Sequence, residues 1–267
     1  MKRKMMLLGA ILITIPICTA ELEAQTSDVS TGLRPFFERY DADHGNLDRF
    51  YSIPLSKNDH QRKLDFYKEQ LGELGKIDFD GLSRDGQVDY LLLRNEIIHT
   101  RKRVLKEAAL DAEVLSLLPF WEPIVQQLES HRRLEPADGK KVAAHMEKIE
   151  ALISAAHSRL DRSLKEARKT WDKDKASRAQ RRVRDLDRAV SRWFRFYNGY
   201  SPLFSWWVKR PAGRVNEALN NYAGLIKEQL VDRAKKKPQG PDGLVGDPIG
   251  TEKLLEALDR EMIAYTP

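Results

Sequence analysis

Cysteine is all but absent, since Cys18 is the only one among 267 residues. A disulfide framework and a cysteine metal site are thereby excluded. Catalytic signatures are missing too. No G-x-S-x-G elbow occurs, and neither do phosphate-loop or dinucleotide glycine patterns. None of His44, His60, His99, His131, His145 and His157 opens an H-E-x-x-H pair. Alternation of apolar and polar residues, the mark of a half-buried strand, is almost nowhere to be found. Positive charge is modest: of the formal +6, three charges belong to Lys2, Arg3 and Lys4, leaving +3 beyond them. That is no nucleic-acid signature.

The first residues show a basic start at Lys2, Arg3 and Lys4, an apolar run from Met5 to Ile17, and small residues after it. This is the layout of a secretory signal peptide over residues 1–24, with cut sites after Ala20 or Ala24. A membrane anchor needs about 20 predominantly apolar residues, and Pro16, Glu21 and Glu23 cut this run short. Export to the periplasm or beyond is the expectation, with no stable anchor after cleavage. Residues 25–267 are then long enough for one large helical domain.

From Ser30 onward apolar residues recur at spacings of three and four, the helical period. The expected fold is all-α, a bundle of long amphipathic antiparallel helices. A first helix carries Val29, Leu33, Phe36, Phe37 and Tyr40 and stops near the polar DADHGN run, where Gly45 and Asn46 favour a turn. A second carries Leu64, Tyr67, Leu71 and Leu74. Ser83 caps a third, whose expected buried stripe is Val88, Leu91, Leu92, Ile98 and Leu105. Pro119 and Pro123 bracket an irregular corner at Phe120 and Trp121, with a helix opening at Pro123. Asp138 caps the next helix. Its stripe of Val142, Met146, Ile149, Ile153, Ala156, Leu160, Leu164, Ala167 and Trp171 suits antiparallel packing with its successor. The WDKDKAS run marks a junction. Another helix follows Pro211, the basic RAKKKPQGPDGLVGDPIG stretch reads as a loop, and Thr251 opens the last helix.

Between Ala179 and Tyr197 two faces separate. Val183, Leu186, Val190, Trp193, Phe194 and Tyr197 fall together, opposite Arg181, Arg184, Arg188, Arg192 and Arg195. That arginine face is either an anion-binding stripe or a solvated surface on which Asp185 pairs with Arg181 and Arg188. The solvated reading is the more ordinary. His157 and Asp161, four apart, offer two metal ligands at most, whereas a catalytic zinc usually takes three from the protein.

The densest aromatic composition is FRFYNGYSPLFSWWVKRP, from Phe194 to Pro211. Clustered aromatics are more often buried than ligand-facing, which favours a loop folded into the core. The functional reading is a groove lined by Tyr200, Phe204, Trp206, Trp207 and Lys209, rings holding peptide side chains and the lysine meeting a carboxylate.

Three strings, FDGLSRDGQVDYLLLRNEI, FYNGYSPLFSWWVKRP and VGDPIGTEKLLEALDREMIAYTP, resemble the amino-terminal half of the bacterial proteins grouped as domain of unknown function 885. The resemblance covers most of the chain beyond the signal segment. It implies a mostly helical, exported, zinc-dependent peptidase-like hydrolase whose HExxPGHH-like motif lies well downstream of the matched portion, so no ligand position carries over. On this reading no catalytic or metal residue lies in the chain, zinc belongs to the full-length family, and the partners are a carboxy-terminal half and a peptide substrate. Thr266 and Pro267 read as the cap and first residue of a further helix. The alternative is a free-standing periplasmic helical binding protein without catalysis.

Overall fold

The computed structural model describes residues 33–233 and 250–264. Residues 1–24, where a signal peptide is expected, Val29, most of the basic stretch after Arg233, and the cap expected at Thr266 and Pro267 lie outside the described residues. Among those described, every regular element is helical. None of the helices is long and apolar enough to cross a membrane.

Helix α1 (Arg34–Phe50) runs straight through the DADHGN segment. The sequence places a turn there, but Leu47 continues the buried stripe of Leu33, Phe36 and Tyr40. The His44 ring stacks on Tyr40 one turn earlier, at 5.6 Å. Lys63, from α2 (Lys57–Leu74), then holds Asp48 at 2.7 Å. Burial and pairing outweigh the turn propensity of Gly45 and Asn46.

Helix α3 (Arg84–Val114) starts where expected, with the Ser83 hydroxyl accepting from the Gly86 N–H. Its buried face is not the expected one. Val88, Leu91, Leu92 and Leu105 are exposed, while Leu93, Ile97 and Thr100 face inward. YLLLRNEII is apolar around much of the helix, so composition alone does not choose the face. Leu33, Phe36, Phe66, Tyr67, Leu93 and Ile97 belong to a small core shared by α1, α2 and α3.

A single 3-10 turn, Leu115–Leu117, leads to α4 (Trp121–Arg132), which opens two residues before Pro123. Phe120 is fully buried and meets Tyr222 edge-on at 5.5 Å. Asp138 caps α5 (Gly139–Arg162) through the N–H groups of Lys140 and Lys141. The stripe from Val142 to Leu160 is buried throughout. The chain then breaks at Ser163 into the short α6 (Leu164–Thr170), and Asp172 caps α7 (Lys173–Tyr197) at the expected junction.

Helix α8 (Pro202–Ile226) begins well before Pro211, which sits buried inside it. One π turn, Lys227–Val231, extends it. Here the expected partnership of α5 changes. Phe204 and Trp207 lie against Gly139, Arg214 pairs with Glu147 and Glu150, and Tyr222 lies beside His157. Sequence numbers rise together, so α5 is buried against α8 and runs parallel to it. The antiparallel arrangement holds for α7 with α8, where Trp193 meets Phe204 and Ser191 meets Asn216. Helix α8 is thus the common partner of α5 and α7, and the main core gathers around it. The last helix, α9 (Thr251–Arg260), buries no residue and rests on α3 through Lys106–Glu256, Lys102–Asp259 and Asn95 to the Arg260 carbonyl.

Candidate functional site

The aromatic corner is made by a turn of four residues between α7 and α8. Gly199 takes φ +89°, a left-handed conformation that a side chain would strain. Ser201 then caps α8 by accepting from the Phe204 N–H at 3.3 Å, and Pro202 occupies the first turn, where its missing N–H costs nothing. This cap sets the phase of the helix. Phe204 and Val208 point inward, and Leu203, Trp206 and Arg210 point outward.

The five residues of the expected groove therefore divide. Phe204 is 3% exposed, packed against Trp193 and Tyr197 with ring centroids at 5.8 and 4.6 Å. It is a core residue with no surface left for a ligand. Tyr200 is 87% exposed, Trp206 79% and Trp207 40%, and Lys209 is exposed as well. With Phe196 and Leu203, also exposed, Tyr200, Trp206 and Trp207 leave large apolar side chains uncovered at the turn between α7 and α8 and in the first turns of α8. The cation lying over the Trp207 ring is Lys140 of α5, at 6.0 Å, and not a residue of the aromatic run. Gly139 explains that approach: a Cβ there would stand 3.1 Å from the Phe204 Cα, so glycine lets the start of α5 close on α8. On the other flank His131 of α4 lies 4.7 Å from Phe196, and its Nδ1 is 3.0 Å from the Tyr197 hydroxyl. Burial holds the His131 pKa below its ordinary value. Lys140 and His131 come from other helices, so no local pattern in the aromatic run announces them.

The arginine face is solvent-facing along its length, and Arg181, Arg184, Arg188, Arg192 and Arg195 are all exposed. Asp185 pairs with Arg188 as expected but takes Arg182, at 3.1 Å, in place of Arg181. Arg178 and Arg182 turn toward α3 instead. Asp111, 3% exposed, receives Arg178 Nη1 at 2.9 Å and Arg182 Nε at 2.8 Å. Glu107 receives Arg178 at 2.8 Å, and that hydrogen bond, aided by the surrounding arginine charge, holds the Glu107 pKa below the usual carboxylate range.

His157 neighbours Tyr222 and His145 lies 3.1 Å from the Pro123 carbonyl oxygen, so the two histidines serve different places. Among the described residues no three His, Cys, Asp or Glu side chains converge as a metal requires. The described residues thus do not fit the zinc that the family resemblance implies. No family model, no curated protein and no solved structure matches the chain.

Proposed function

We propose that the chain is the amino-terminal helical portion of an exported zinc-dependent peptidase-like hydrolase, supplying scaffold and a wall of the substrate groove but none of the metal chemistry. The observation that carries this reading is the uncovered corner at Tyr200, Trp206 and Trp207. The core beside it is closed, yet large aromatic side chains stay in solvent, and such patches mark contact surfaces. Rings of this kind hold apolar peptide side chains, while the exposed Lys209, one turn beyond Trp206 on α8, offers a charge to a carboxylate. The resemblance of the three sequence strings to the domain of unknown function 885 proteins is what supports the hydrolase assignment.

The test is a peptide-hydrolysis assay of the purified chain with added zinc, joined to a reading of the DNA beyond the Pro267 codon in all frames. The expected result is no zinc-dependent turnover by the chain alone and a histidine–glutamate zinc motif downstream. Zinc-dependent turnover without a second chain would contradict the assignment of roles. A downstream region without the motif would favour the second reading, a helical binding protein, which the closed main core around α8 supports.

A further inference from the structure

A cavity of about 410 Å³ opens beside α7 on the side facing α3. Its walls carry five guanidinium groups, those of Arg178, Arg181, Arg182, Arg184 and Arg188, against the carboxylates of Glu107 and Asp185. Five positive charges over two negative leave the lining at +3, and counting Asp111 behind it still leaves +2. That excess sits within three turns of one helix, whereas the whole chain carries a formal +6.

The arginines fall into two groups. Arg178 and Arg182 are pinned by Asp111 and Glu107, and Arg188 by Asp185, which fixes the walls before any ligand arrives. Arg181 and Arg184 make no ion pair or hydrogen bond among the described residues. Three residues apart on a helix, they are neighbours, and like charges at that spacing repel. Arg178 and Arg182 thus form a fixed wall, and Arg181 and Arg184, which feel the charges of Glu107 and Asp187 without pairing with either, stand as free donors in front of it. Each guanidinium offers paired N–H donors that match two oxygens of one phosphate, and several such groups together suit an anion of more than one charge.

We infer that this cavity is a binding site for a compact phosphate-bearing anion, held by Arg181 and Arg184 in front of the pinned Arg178 and Arg182. The inference is independent of the aromatic corner and of the hydrolase reading. A free phosphate compound and an anionic lipid headgroup share this chemistry, and the experiment separates them.

Inorganic pyrophosphate is titrated calorimetrically into the full chain, and binding to phosphatidylglycerol vesicles is measured beside phosphatidylcholine vesicles. The comparison variants are R181Q/R184Q and, with the same charge removed from the same face outside the cavity, R192Q/R195Q. Circular dichroism verifies that both variants are folded. The expected result is saturable binding by the parent chain, weakened about tenfold or more in R181Q/R184Q, a loss equivalent to about 1.4 kcal/mol, and kept in R192Q/R195Q. Binding of pyrophosphate identifies a soluble ligand class, and binding of phosphatidylglycerol vesicles alone identifies the headgroup. The inference is overturned if neither probe binds saturably, if R181Q/R184Q binds as the parent does, or if R192Q/R195Q loses as much, which would mean diffuse attraction by surface charge.

Discussion

Single buried polar groups decide several junctions of this molecule. The Tyr222 hydroxyl donates to the Leu117 carbonyl at 2.6 Å, tying α8 to the turn before α4, and burial raises its pKa. Asp59, 2% exposed in the first turn of α2, gives its N–H to the capping Ser56 hydroxyl, accepts from the Ile53 N–H at 2.8 Å, and pairs with Arg132 of α4. Ser56 donates to Glu129 at 2.6 Å in the same knot. Next to it stands His60, which burial pushes below its ordinary pKa of 6.5, with Asp111 opposing that shift and Arg182 adding to it. Burial does the same to His131. A histidine held neutral in the fold takes a proton more readily when unfolded, so its contribution is present above 6.5 and lost as pH falls through the depressed folded value. Denaturant titrations between about pH 7 and pH 5 should show stability declining on acidification, and H60Q/H131Q should flatten that decline. An unchanged slope in the double variant would assign the decline to other groups.

At the scale of the helix, legibility followed one-sidedness. The stripe of α5 was readable because Val142, Met146, Ile149, Ile153, Ala156 and Leu160 share one narrow face, and all are buried. In α3, Val88, Leu91 and Leu92 compete with Leu93 and Ile97 for the core, and only the packing of α2 decides between them. The phase of α8 was within reach of the sequence, because Ser201 followed by Pro202 is a helix start. Starting there, Phe204 falls inside and Trp206 outside, whereas a start at Pro211 leaves the whole run as loop. What no local pattern holds is a partnership between helices. The parallel pairing of α5 with α8 and the reach of Arg178 and Arg182 to Asp111 join positions far apart in sequence. Asp111→Ala leaves two part-buried guanidinium groups without their shared partner. It should destabilise the fold by about 3 kcal/mol in a denaturant titration. A change of less than about 0.5 kcal/mol would mean that Glu107 alone satisfies both arginines.

Viewed whole, the described residues gather into two cores of unequal size. The smaller belongs to α1, α2 and α3, and the larger is gathered around α8 by α4, α5 and α7. The knot of Ser56, Asp59, Glu129 and Arg132 and the cluster at Asp111 stitch them together, so the joint is polar where the cores are apolar. Both candidate surfaces lie on α7 and α8: the aromatic corner at the turn between them, and the arginine cavity along α7. The functional reading rests on the first of these. Intrinsic tryptophan fluorescence of the purified chain, titrated with a short peptide bearing apolar side chains and a free carboxylate, tests it most directly. The account predicts a saturable change in the emission of the exposed indoles, lost in Y200A/W206A and weakened in K209A, while both variants stay folded. An unchanged spectrum at saturating peptide, or the same change in Y200A/W206A as in the parent, would contradict it.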